Sequence, residues 1–418
     1  MDHTKRKPNF IQSSKEEPKK FRNEYNPSTT EGAVVVALEE LVSRIKADHK
    51  IQKKVDEPFS INMFSAGKST TEIKGQFVFF QVLIDCLLRL KSNQKDKDEL
   101  ITWCENEYKG NHQDLAYVNE FQKNYSSNKA LWWYTRDSFF YKTISGALRR
   151  QNIHMIFLYR AFISDIHRQL QYYQAKKPLR VYRSQMISSE ELNNLKQCLG
   201  QYMSINSFFS TSTDYDKAIW FLGSADTSKN LEQVIFIINA DPKMVTTKPF
   251  ADISACSEFS DESEVLFMLG SIFRIDSINR DDNQIWIIRM TLCNEDEHEL
   301  KKVLMHMKQQ IGSGETNLRT LGKILWKMGE LNLAEQYFKR LLRELMSDDP
   351  LRCSLYEDLA ELASLRQDYD MSVEWHQKSL VFKEKNPLAI NSNMNTTSNF
   401  TSEFIKIKLI IFERVPLI

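Results

Sequence analysis

The sequence lacks any paired-cysteine signature. Its six cysteines, Cys86, Cys104, Cys198, Cys256, Cys293 and Cys353, are scattered, and none forms a CxxC pair. That argues against the common zinc frameworks, and a secreted disulfide scaffold would be shorter and denser in cysteine. The eight histidines show no HxxxH or HxH spacing, so no metal is expected. Charge of one sign is missing too. Fifty-six basic against 55 acidic residues leave a net charge of +1, which argues against nucleic acid or an acidic membrane as a main partner. No apolar run reaches the roughly 18 residues of a membrane-spanning helix. Residues 77–90 come nearest, but Gln81 and Asp85 interrupt them, and they read as a buried core helix. Residues 1–20 are Lys-rich and polar, without the apolar stretch of a secretory leader. The expectation is a reduced, cytoplasmic protein.

A nucleotide loop is also missing. Ala66-Gly67-Lys68-Ser69-Thr70 matches the end of a P-loop, but the position that needs the first glycine is Asn62. No apolar strand leads into it, so ATP or GTP binding is not expected.

What is present begins with material for a core: 42% hydrophobic residues, with 25 Phe and 15 Tyr. A chain of 418 residues suggests two or three domains. Residues 1–31 are rich in Lys, Glu, Asn, Pro and Ser and read as a disordered tail. Residues 32–130 read as a mainly helical N-terminal extension. Ile156, Tyr159, Ile163, Ile166 and Leu170 step by three and four, which predicts one face of one helix. Leu131-Trp132-Trp133-Tyr134 opens another, predicted to continue through Phe139, Phe140 and Ile144. After Gln174 the texture turns to short β-rich runs: Leu179-Arg180-Val181-Tyr182, Phe208-Phe209, residues 234–238, 265–269 and 285–291. These predict a mixed or antiparallel sheet, and an α+β fold overall.

From Leu318 the texture is helical again, and two segments match at an offset of 38 residues. Gly329-Glu330-Leu331-Asn332-Leu333-Ala334 aligns with Gln367-Asp368-Tyr369-Asp370-Met371-Ser372. Each follows a Leu-small pair, Leu321-Gly322 and Leu359-Ala360, where a small residue lets two helices approach closely. This resembles tetratricopeptide repeats, whose period is about 34 residues; roughly three repeats are normally needed for stability. Two repeats over residues 311–385 are therefore expected to lean on the preceding domain, or to be a shortened array. Such repeats imply a protein partner. Residues 386–418 read as a linker and tail.

Three short elements carry chemistry. In Glu262-Ser263-Glu264 the two carboxylates, two residues apart at the start of an apolar strand, are expected on one strand face. Val181-Tyr182-Arg183-Ser184 sets an arginine at a strand end, where a guanidinium fork can clamp a phosphate. Phe208-Phe209-Ser210-Thr211-Ser212 runs an aromatic strand into hydroxyls. Taken singly, each has a plain reading: a solvated acidic pair, a surface ion pair, a Ser/Thr turn.

Their order and spacing resemble the Arg-Ser-Glu class of mono-ADP-ribosyltransferases. The likeness extends to the loop from Asp252 to Phe259 before the Glu pair and to Gly270-Ser271-Ile272-Phe273 after it. Upstream it includes Trp133-Tyr134-Thr135-Arg136-Asp137 and Ala147-Leu148-Arg149, so that it spans residues 132–292. The resemblance implies a helical lobe plus a split, mixed β-sheet, with a catalytic core over residues 131–296 and NAD as substrate without a metal. It implies that Arg183 grips NAD phosphate, Ser210 orients Glu264, and Glu264 bonds ribose and stabilises the charge that develops as nicotinamide leaves. Glu262 would hold an acceptor arginine of a protein target, and Phe259 would pack against that target. Ser184 departs from the family, which has Gly there; its backbone N–H and C=O would still hold the nicotinamide amide. Water in place of the acceptor would make the chain an NAD glycohydrolase, and loss of activity would leave a repeat scaffold.

Overall fold

The computed structural model describes residues 61–64, 71–220, 222, 231–245, 247–294 and 301–386. The expectations for residues 1–31, for 32–60 of the extension, for Ala66 to Thr70 and for 387–418 lie outside the described residues.

Seven helices form the N-terminal lobe: α1 (Thr71–Arg89), α2 (Gln94–Glu107), α3 (His112–Asn124), α4 (Ala130–Thr135), α5 (Phe139–Arg149), α6 (Ile153–Leu158) and α7 (Arg160–Tyr172). The interrupted run at 77–90 is α1, with Phe77, Val82 and Cys86 wholly buried. The interruption at Gln81 has a purpose: its Nε2 donates to Ser204 Oγ (3.2 Å) and to the Gly270 carbonyl (3.0 Å), tying the helix to the sheet. No helix among the described residues is long and apolar enough to cross a membrane. All six cysteines are free thiols, and burial pushes Cys86 and Cys104 up to about 12, so neither is a reactive thiolate.

Two predicted helices are each broken. The stripe from Ile156 to Leu170 is fully buried as expected, but it spans α6 and α7, with the break at Tyr159. Arg160 Nη1 takes up the Phe157 carbonyl at that break (3.0 Å). The helix opening at Leu131 stops at Thr135. Arg136 is extended, and Ser138 caps the new helix α5 by accepting from Phe140 N.

The strands are β1 (Ile61–Phe64), β2 (Leu179–Ser188), β3 (Tyr202–Ile205), β4 (Phe209–Ser212), β5 (Leu231–Ala240), β6 (Phe250–Asp252), β7 (Glu264–Phe267), β8 (Ser271–Arg280) and β9 (Trp286–Leu292). Helices α8 (Ser189–Gln197) and α9 (Tyr215–Trp220) interrupt them. They form one mixed sheet in the order β1-β3-β8-β9-β5-β2-β4-β7-β6, in which β5 and β9 run parallel. The sheet is split as expected. β2 and β4 meet at a single pair, Tyr182 opposite Ser212, whereas β2 and β5 pair along ten residues. The smaller part folds over the larger around an aromatic core: Phe209 of β4 and Phe267 of β7 lie 5.9 and 5.5 Å from Phe273 of β8, ring centre to ring centre.

Five helices follow: α10 (Lys301–Ile311), α11 (Leu318–Met328), α12 (Leu331–Glu344), α13 (Leu351–Leu365) and α14 (Tyr369–Lys385). The fold is thus a helical lobe, a split mixed sheet and C-terminal helices. Pairs α11/α12 and α13/α14 are helical hairpins, and their turns share a backbone feature. Gly329 (φ 86°) and its aligned partner Gln367 (φ 64°) both take the left-handed conformation. The small residue at Gly322 is required by packing, because an added Cβ would stand 2.6 Å from Phe338 Cδ1 and closer still to Cε1. Gly322→Ala is expected to cost about 1–3 kcal/mol by overpacking, read as a lower urea midpoint at unchanged slope.

The hairpins share one hydrophobic cluster with the N-terminal lobe. Tyr337 packs on Phe157 at 4.8 Å. Thr316 Oγ1 donates to the Cys86 carbonyl (2.7 Å), and Arg89 Nη1 donates to the carbonyls of Gly312 and Gly314. The hairpins therefore bury part of their apolar surface against the lobe.

Candidate active site

The site lies where the sheet splits. Beyond Tyr182 one edge of β2 has no strand partner among the described residues, and Arg183 and Ser184 are the next two positions. Arg183 Nη1 donates to the Ser210 carbonyl (2.7 Å), and its guanidinium lies 5.4 Å from the centre of the Phe209 ring. Ser210 Oγ donates to Glu264 Oε1. On the β4/β7 ladder Ser210 stands opposite Leu266 and Ser212 opposite Glu264, so Ser210 and Glu264 are diagonal neighbours on one face. Glu264 is 5% exposed. A carboxylate buried to this degree needs a hydrogen-bond donor, and the Ser210 hydroxyl is one.

The other hydroxyls of the motif fix the approach to β7. Thr211 Oγ1 donates to the Val265 carbonyl (2.9 Å), Ser212 Oγ to the Glu262 carbonyl (3.0 Å), and Thr213 N to the Ser263 carbonyl (3.1 Å). The aromatic-Ser-Thr-Ser run is therefore one comb that grips three points of the glutamate segment.

The two glutamates do not share a strand face. Glu262 ends a short 3₁₀ turn, Ser260–Glu262, and Ser263 takes a left-handed conformation (φ 49°) before β7 begins at Glu264. The alternation rule holds only inside a strand, and the bend at Ser263 lies between the two residues. Glu262 is half-buried in the loop, next to half-buried Phe259 at the start of the turn.

Two residues of this loop's support were not singled out from the sequence. Lys217 Nζ donates to the Asp261 carbonyl and lies 3.5 Å from Ser263 Oγ. Thr135 Oγ1, at the end of α4, accepts from Glu258 N (2.9 Å) and so ties the helical lobe to the loop. Nothing in the local sequence marks Lys217, since its role arises only when β4 and β7 pair. Thr135 lies inside the Trp133-to-Asp137 motif.

Two polar atoms beside this contact chain are suited to an anionic, polar ligand. Arg183 Nε and Ser184 Oγ are buried without a hydrogen-bond partner among the described residues. Such an orphan costs about 1–3 kcal/mol, which a bound phosphate or amide can offset. No group of His, Cys, Asp and Glu suited to a metal ion occurs among the described residues.

Residues 101–295, a little under half of the chain, match the family model described as ADP-ribosyltransferase exoenzyme. The helical lobe and split sheet of this segment are the ADP-ribosyltransferase fold. Among solved structures, the ADP-ribosyltransferase HopU1 of Pseudomonas syringae pv. Tomato DC3000 is similar at 15% identity and a TM-score of 0.33, over 49% of this chain and 99% of that one. The Vis toxin, an ADP-ribosyltransferase from Vibrio splendidus, is similar at 19% identity and a TM-score of 0.33, over 51% of this chain and 93% of that one. Exoenzyme S from Pseudomonas aeruginosa, solved with human 14-3-3 protein beta and carba-NAD, is similar at 14% identity and a TM-score of 0.30, over 50% of this chain and 96% of that one. At such values residue roles do not transfer. No curated protein matches.

Proposed function

We propose that this chain transfers ADP-ribose from NAD to arginine side chains of a protein target, releasing nicotinamide. The observation that carries the reading is the contact chain from Arg183 through Ser210 to Glu264 at the split of the sheet. Arg183, with its unpartnered Nε, would hold the NAD phosphates through a guanidinium fork. Ser184 would hold the nicotinamide amide through its backbone. NAD supplies the glycosidic bond to be cleaved. Glu264, fixed by Ser210, would accept from the ribose hydroxyl and stabilise the positive charge that grows on the ribose, as a carboxylate does in glycoside cleavage.

Glu262 is the acceptor-side residue. Its carboxylate matches the fork of an arginine guanidinium, and its backbone is tethered by Ser212. Phe259, at the start of the same turn, would meet the target protein. The C-terminal hairpins, read as tetratricopeptide-like repeats, would recruit a protein partner. Glu262→Gln is expected to lose arginine modification while NAD hydrolysis continues, because water needs no guanidinium site. Following both products from labelled NAD tests this. Equal loss of both activities would contradict the acceptor role of Glu262.

A further inference from the structure

We propose that Lys217 of α9 is a positioning residue that sets how much ADP-ribose goes to the acceptor arginine rather than to water. The inference rests on the reading of Glu262 as the acceptor-side residue.

It starts from five consecutive carbonyls. Each backbone oxygen from Asp261 to Val265 accepts a hydrogen bond from outside the segment. Asp261 accepts from Lys217 Nζ, Glu262 from Ser212 Oγ (3.0 Å) and Ser263 from Thr213 N (3.1 Å). Glu264 accepts from Ile253 N (2.9 Å) and Val265 from Thr211 Oγ1 (2.9 Å). Four of these donors sit in β4 or directly after β4 and β6, where strand register fixes them. The fifth, Lys217, reaches in from a separate helix and is the one charged donor of the five.

Its ammonium is itself placed. Asp214 Oδ1 accepts from Asp216 N (3.0 Å) and Lys217 N (3.2 Å) at the start of α9, while its Oδ2 lies 3.7 Å from Lys217 Nζ. Asp214 N donates to Ser212 Oγ (3.1 Å), so the start of α9 is tied to the same comb of hydroxyls. Lys217 Nζ also stands 3.5 Å from Ser263 Oγ. The lysine thus contacts the segment on both sides of Glu262, at the Asp261 carbonyl and at the Ser263 hydroxyl.

That place matters because the bend is strained. Ser263 has φ 49° without being glycine, and such a conformation persists only where its surroundings hold it. The two glutamates depend on the bend unequally. Glu264 lies inside β7, paired with β4, and its side chain is held by Ser210. Glu262 lies before the bend and outside the ladder. Releasing Lys217 therefore loosens Glu262 first. A guanidinium acceptor needs an aligned carboxylate, and water does not.

The test uses Lys217→Met, which keeps an unbranched apolar stem without the ammonium, and Lys217→Arg, which keeps a charged donor. The full chain is given labelled NAD and N-acetylargininamide, and both products are followed. Lys217→Met should raise the KM for the arginine acceptor about five- to tenfold, the worth of one half-exposed charge-assisted hydrogen bond. NAD hydrolysis and the KM for NAD should stay near those of the parent chain, and Lys217→Arg should recover most of the transfer. Hydrogen exchange of Lys217→Met should quicken over residues 258–263 and stay unchanged over Glu264–Phe267. Four outcomes would each overturn the role: an unchanged partition between transfer and hydrolysis, an equal fall of both, unchanged exchange in the loop, or no recovery in Lys217→Arg. A parent chain that modifies no arginine would instead overturn the acceptor reading, and this inference with it, whatever the exchange result.

Discussion

Glu264→Gln is expected to lower both ADP-ribose transfer and NAD hydrolysis by about 100- to 1000-fold, the usual worth of one group aimed at developing charge. The two reactions share the cleavage of the bond to nicotinamide, so one substitution should remove both. Glutamine keeps the size of the side chain, and its Oε1 can still accept from Ser210 Oγ, so the β4/β7 ladder of Ser210 to Leu266 and Ser212 to Glu264 should stand. What it loses is the negative charge. A melting temperature close to that of the parent chain would separate lost chemistry from lost fold. Full activity in Glu264→Gln would remove Glu264 from the mechanism.

The second large effect concerns stability rather than chemistry. Asp96→Ala is expected to cost about 3–5 kcal/mol, the usual result of stripping a buried cation of its partner. Asp96 is 2% exposed. Its Oδ2 accepts from Arg160 Nη2 and from Asn93 N (2.9 Å), and its Oδ1 accepts from Arg340 Nη2 (2.5 Å). One carboxylate therefore caps α2, compensates Arg160 and anchors α12 of the first hairpin. Arg160 is also 2% exposed, and burial already pulls it below its ordinary value. Without Asp96 it would be left with backbone carbonyls alone, those of Phe157 and Lys91. Glu99 is the contrast. It also meets Arg340 (2.7 Å), but its side chain is 39% exposed, and Glu99→Ala should cost no more than about 1 kcal/mol. Urea unfolding of both variants reads the difference. Equal midpoints would contradict the anchoring role of Asp96.

The elements that announce themselves by pattern were legible in the sequence. The apolar step from Ile156 to Leu170 gave the buried stripe, the runs around Val181, Ile235 and Ile288 gave central strands, and the Leu-Gly and Leu-Ala pairs marked the two hairpins. What escaped depends on contacts between distant parts. The breaks at Tyr159 and Arg136 are set by Arg160 and Ser138, which take up or cap backbone groups, and periodicity does not register them. The short strands β3 and β6 carry too few residues to show alternation. In the site, the diagonal meeting of Ser210 with Glu264 follows from strand register, and the left-handed turn at Ser263 parts two glutamates that a simple period of two would place side by side. Lys217 supports the loop from a separate helix, where no local signal exists.

The central claim is tested most directly by incubating the full chain with NAD labelled in its adenylate half and a mixture of soluble proteins, then locating the label by mass spectrometry. The expected result is ADP-ribose attached to arginine on protein, with nicotinamide released in step and both products lost in Glu264→Gln. Intact NAD after prolonged incubation, with no label on protein and no free ADP-ribose, would contradict it.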